Sequence, residues 1–126
     1  MNTALWIVQI LLALAFFMAG LMKLTQPLDK LQERMAWVES INPRNRVRVI
    51  GLLEMLGALG LVLPALTGIL PWLTPLAAIG LILTMLGALT LHIHRQDPIA
   101  MPLANLVLLA LAAFVVYGRL VAVPLA

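Results

Sequence analysis

Between Met55 and His94 the chain reads MLGALGLVLPALTGILPWLTPLAAIGLILTMLGALTLHIH, with no Asp, Glu, Lys or Arg anywhere in it. As a helix this stretch would be about 60 Å long, twice the ~30 Å of a bilayer's hydrocarbon core. It therefore has to turn, and Pro64, Thr67-Gly68, Pro71 and Pro75 mark where. One apolar helix ends near Pro64 and a second runs from about Pro71 to His94. Working outward, the upstream helix begins near Arg46. A further apolar run, broken only by Gln9, covers about Thr3 to Met22, and another follows the turn Gln96-Asp97-Pro98 to about residue 119. The expectation is an all-α protein: an integral membrane four-helix antiparallel bundle in one domain, with spans at about 3–22, 46–64, 71–94 and 99–119.

Composition agrees. Of 126 residues, 63% are hydrophobic and 10% charged, whereas a soluble domain carries about 25% charged residues to cover its surface. With no cysteine, disulfides, thiolate metal sites and dithiol redox chemistry are excluded. The net charge of +3 does not indicate a nucleic-acid partner, because six of the eight basic residues fall between Lys23 and Arg48, beside the membrane. The first span lacks the basic start and small-residue cleavage pattern of a secretory signal, so it is read as a retained helix.

Charge also orients the chain. Lys23, Lys30, Arg34, Arg44, Arg46, Arg48 and Arg95 lie in the loops after spans one and three, and only Arg119 lies opposite. The positive-inside rule puts those loops in the cytoplasm and both termini on the other side of the cell membrane. Between the first two spans, at about 26–41, Leu24, Leu28, Leu31, Met35 and Val38 recur at helical spacing opposite Lys30, Glu33 and Arg34. That pattern suits an interfacial amphipathic helix anchored by Trp37, or equally a solvated helical linker. Asn42-Pro43 resembles an N-cap and first-turn proline opening span two.

Polar residues inside the spans are the informative exceptions, since hydrocarbon tolerates an ionisable group only if it is paired or turned inward. Antiparallel threading gathers Lys23, Glu54, His92 and Asn105, one from each span, into a single layer. Each lies on a stripe expected to face inward: Gln9, Ala13, Phe16, Gly20 and Lys23; Gly51, Glu54 and Ala58; Gly80, Thr84, Ala88 and His92; Asn105, Leu108, Ala112, Val115 and Arg119. These four residues are candidate ligand-binding positions, with no catalytic group identified. Equally, Lys23 and Glu54 would serve as a purely structural lock. His92 and His94, two apart on a helix, point away from each other and cannot share a metal ion, so no metal is expected. Tyr117 and Arg119, secondary candidates, read as an interfacial aromatic and a snorkelling cation, with Arg119 alternatively reaching an anionic lipid or partner. The methionines are core filler.

Several of these segments resemble the DoxX-like family of small four-helix membrane proteins. Phe17-Met18-Ala19-Gly20-Leu21-Met22-Lys23-Leu24 is similar to the end of its first span. Gly51-Leu52-Leu53-Glu54-Met55-Leu56-Gly57 and Gly60-Leu61-Val62-Leu63-Pro64 are similar to its second, and Gly87-Ala88 with His92 and Tyr117-Gly118-Arg119 to its third and fourth. The resemblance implies that Lys23, Glu54, His92 and Arg119 matter. It also implies a link to quinone chemistry or to a membrane oxidoreductase partner, with quinone as the cofactor and this chain contributing a pocket but no electron carrier. The expected function is thus a quinone- or lipid-binding subunit rather than an enzyme by itself. The alternatives are a non-catalytic scaffold or assembly factor, possible as a homo-oligomer, or a small transporter. The transporter fits less well: four-span exporters carry their membrane carboxylate in the first span, and here Glu54 is in the second. A sterol- or lipid-type pocket would use the same residues as the quinone reading.

Overall fold

The computed structural model describes residues 1–40 and 46–125. Asn42, Pro43 and Arg44, and with them the expected N-cap of span two, lie outside the described residues. The long helices are α1 (Asn2–Thr25), α3 (Arg46–Thr67), α4 (Leu73–His94) and α5 (Ala100–Tyr117), with a short α2 (Leu28–Arg34) after α1. All four long helices are apolar enough to cross a membrane, the last counted through Ala122. They form an antiparallel ring in which α1 packs on α3, α3 on α4, α4 on α5 and α5 back on α1.

The core is a column of side chains from all four: Leu12 and Phe16 of α1, Ala58 and Leu61 of α3, Ala78, Leu81 and Met85 of α4, and Ala112 and Val115 of α5. The outer surface is lined with exposed Leu, Ile and Val, as a lipid-facing bundle requires. Helix approach is closest where side chains vanish. A Cβ on Gly51 would lie 2.7 Å from the Gly20 carbonyl oxygen, and one on Gly60 would lie 2.7 Å from the Ala77 Cβ. Small residues at such crossings let backbones touch, which replaces the hydrophobic drive missing in lipid.

Helix ends follow local chemistry. Gln26, extended (φ −74°, ψ 144°), ends α1 because Pro27 disfavours the helical conformation before it. Arg48 Nη1 then donates to the carbonyls of Lys23 (2.7 Å) and Gln26 (2.6 Å), satisfying oxygens the helix end leaves free. Span two does not stop at Pro64. The helix carries the proline within it to Thr67, and the break comes at Gly68, whose φ of +75° is the left-handed conformation that glycine adopts without strain.

Of the expected interfacial segment, the described residues 26–40 are not one amphipathic helix. Beyond Arg34, Met35 (φ −128°, ψ 86°) leaves the helical region and residues Ala36–Ser40 form a 3₁₀ turn. Leu31, Val38 and Val47 are fully buried together, with Met22, Leu28, Met35 and Trp37 against them. The break brings Val38 into this buried cluster, with Trp37 half-buried against it. In α4 the inward stripe is Thr74, Ala78, Leu81, Met85 and His92, which leaves Gly80 exposed with open space at its Cβ position, contrary to its expected inward placement.

Candidate functional site

Lys23, Glu54, His92 and Asn105 line one cavity of about 400 Å³, together with Met35 and Trp37 among others. Its polar wall starts with a pair. The Lys23 ammonium donates to Glu54 Oε1, and both side chains are buried. Lys23 Nζ also lies 5.7 Å from the Trp37 ring centre, within cation–π range. Glu54 reaches Lys23 because Gly20 and Gly51 bring α1 and α3 into backbone contact just beside it.

His92 enters from α4. Its Nδ1 is 2.6 Å from Asp97 Oδ2, so its second ring nitrogen is the one left for the cavity that it lines. The turn makes this contact. Gln96 adopts φ 59°, its N–H meets the Ile93 carbonyl at 3.1 Å, and the Asp97 N–H meets the His92 carbonyl at 3.0 Å. That is a Schellman ending with glutamine in the left-handed position, and it folds Asp97 back over the last turn of α4. In the sequence Asp97 reads only as a turn residue. The signal available was its spacing of five from His92 across a proline-terminated turn.

Asn105 enters from α5. Its Nδ2 is buried without a hydrogen-bond partner among the described residues, a condition that costs about 1–3 kcal/mol when nothing compensates it. Exposed Leu53 and Leu83 belong to the same cavity wall, so the cavity opens sideways between α3 and α4 onto the apolar surface. Of its lining, Lys23, Glu54 and His92 are buried and Asn105 half-buried, while Leu53 and Leu83 are exposed. Among the described residues, no group of three or more His, Cys, Asp or Glu is placed to hold a metal ion.

Arg119 and Tyr117 lie at the far end, apart from this cavity. Tyr117 is exposed. Arg119 does not snorkel: it is 3% exposed, with Nε donating to Gln9 Oε1 at 2.7 Å and Nη1 to Asn2 Oδ1 at 2.8 Å. Gln9 in turn donates to the Leu61 carbonyl at 2.6 Å. The physical reason is that α5 continues as a π-helical turn over Gly118–Ala122, with Leu5 packed where a Gly118 Cβ would stand, and acceptors from α1 lie inside the bundle. Gln9, which in the sequence is only one position of an inward stripe, bridges Arg119 to the Leu61 carbonyl.

No curated protein and no solved structure matches the chain. The model of the DoxX-like family matches residues 7–115, a stretch that includes every residue of the cavity and all four long helices in whole or large part. The chain is a multi-pass membrane protein that belongs to the DoxX-like family.

Proposed function

We propose that the chain binds a lipid-soluble molecule with a carbonyl-bearing head, of the quinone type, in the cavity between Lys23, Glu54, His92 and Asn105. The observation that carries this reading is the unpartnered Asn105 amide nitrogen in a cavity whose wall also includes the exposed Leu53 and Leu83. A head carbonyl would accept from Asn105 Nδ2, and the His92 ring nitrogen not held by Asp97 would meet a second polar atom. The tail would leave past Leu53 and Leu83 among the acyl chains. The volume falls within the roughly 300–1,000 Å³ of small-molecule sites, and a mostly apolar wall with a few convergent polar groups is their usual composition. Such a subunit would serve a membrane oxidoreductase, with the Lys23 end of the bundle facing the cytoplasm.

The test is a titration of protein in nanodiscs with a short-tailed ubiquinone or menaquinone analogue, read as quenching of Trp37 in a Trp6→Phe, Trp72→Phe background. Saturable quenching, weakened at least tenfold by Asn105→Leu, supports the site. Quenching that never saturates, or that is indifferent to Asn105→Leu, removes it. One observation favours a scaffold instead: Lys23 and Glu54 neutralise each other directly, as a lock between α1 and α3 would. A protein that fails the titration yet depends on that pair for folding would be read that way.

A further inference from the structure

The end of the bundle away from the cavity buries a cation with no acidic side chain beside it among the described residues. Residues 1–28, 55–96 and 98–126 contain no Asp or Glu, so the segments that build this end offer Arg119 no acidic side chain. Its partners are neutral: Gln9 Oε1, Asn2 Oδ1 and, at 3.3 Å, the Val123 carbonyl. The Trp6 ring centre lies 5.5 Å from the guanidinium carbon. Nη2 is buried with no hydrogen-bond partner among the described residues. An Arg carries five donors in a planar fork suited to phosphate and carboxylate, and a buried charge without a counter-ion is strongly unfavourable. The same Arg119 forms part of the wall of a second cavity, of about 460 Å³, with Pro71, Trp72, Pro75, Ile79 and Leu120.

We propose that this second cavity is an anion site in which Arg119 holds a phosphate group of net negative charge, carried by an anionic lipid head or free in solution. The anion supplies the missing counter-charge and takes the unused Nη2 donor, while Gln9 and Asn2 keep the fork oriented. Trp72 and Leu120, both apolar and exposed beside it, give acyl chains a surface to lie on, which a free phosphate would not need. This site is independent of the quinone reading: it uses none of the residues of the first cavity and lies at the other end of the helices.

The experiment measures thermal stability of the full chain in neutral detergent against increasing dioctanoyl phosphatidylglycerol, dioctanoyl phosphatidylcholine or inorganic phosphate. A ligand that binds only the folded state raises the midpoint with its concentration. The expected result is an apparent affinity for phosphatidylglycerol at least tenfold above that for phosphatidylcholine. Arg119→Gln should abolish this preference, and so should Ile79→Trp, which fills the cavity and alters none of Arg119's hydrogen-bond partners. If Arg119→Gln does not fold, Ile79→Trp decides alone. Stabilisation by inorganic phosphate, lost in Ile79→Trp, assigns the site to a free anion; its absence, with the lipid preference intact, assigns it to a lipid head. Equal response to both lipids with none to phosphate overturns the proposal, as does a preference that survives in Ile79→Trp, because exposed cations at the other end would then be its source.

Discussion

The Lys23 ammonium lies against the Glu54 carboxylate at the level where Gly20 and Gly51 press α1 and α3 together. Ion pair and close approach depend on each other. A larger residue at either glycine would part the helices and lengthen the pair, and an unpaired charge at that depth would work against helix association. The pair also forms one wall of the cavity, so the element that joins two helices shapes the candidate site as well.

Replacing one partner of this pair should therefore cost more than replacing both. Lys23→Leu or Glu54→Leu alone strands a buried charge and should destabilise the bundle by about 3–5 kcal/mol, whereas the double replacement should fall near the parent. Thermal or denaturant unfolding of purified protein in detergent gives the comparison. Single variants as stable as the parent would show that the pair holds nothing together.

The glycines should split into two classes. A Cβ on Gly20 would stand 3.0 Å from the Met55 nitrogen and 2.7 Å from its Cγ, so Gly20→Val should destabilise by roughly 1–3 kcal/mol, in the range of overpacked cores. Gly80→Ala meets nothing within 4 Å and should be neutral or stabilising by about 0.5–1 kcal/mol, from the helix propensity regained. The same unfolding measurement ranks them, and a Gly80→Ala variant weaker than Gly20→Val would contradict the packing.

How far the sequence carried can be seen in particular residues. The charge-free run from Met55 to His94 was enough to require two of the four spans, because hydrocarbon thickness leaves no other way to accommodate it. Glu54 and Lys23 were legible as neighbours for a related reason: two charges on apolar helices at matching depth have few alternatives. Pro64 misled, since a proline reads as a helix end in water, while a membrane helix can carry one when neighbours satisfy the freed backbone. Gly80 misled because small residues mark close approach only on the face that meets a neighbour, and helical spacing alone left that face one residue step out. Arg119 stood on an inward stripe yet read as a snorkelling cation, because its acceptors come from Gln9 and Asn2, more than a hundred residues earlier in the chain.

Gln9 should be an unexpectedly costly position for an uncharged residue. Gln9→Leu removes the acceptor for Arg119 Nε and the donor to the Leu61 carbonyl, and a buried polar group left unpaired costs about 1–3 kcal/mol, more for a charged one. Gln9→Glu keeps the acceptor and adds a counter-charge, so it should lose less stability than Gln9→Leu. An unfolding comparison in which the leucine variant is the more stable would contradict the network.

Asp97 should affect ligand affinity more than stability. Its carboxylate holds the His92 ring by Nδ1 near the end of α4, where a partly solvated hydrogen bond contributes about 1 kcal/mol. Asp97→Ala should lower unfolding stability by about that amount. In the fluorescence titration it should weaken the quinone analogue by roughly three- to tenfold, the affinity equivalent of about 0.7–1.4 kcal/mol. Unchanged affinity in a folded Asp97→Ala protein would place His92 outside the binding step.

If a lipid-soluble molecule occupies the cavity lined by Lys23, Glu54, His92 and Asn105, it should travel with the protein through purification in mild detergent. Mass spectrometry of the copurifying small molecules, comparing the parent with Asn105→Leu, decides this. The parent should retain a quinone-type molecule in near-stoichiometric amount, and the variant should be depleted of it. Bulk phospholipid alone, carried equally by both proteins, would contradict that occupancy.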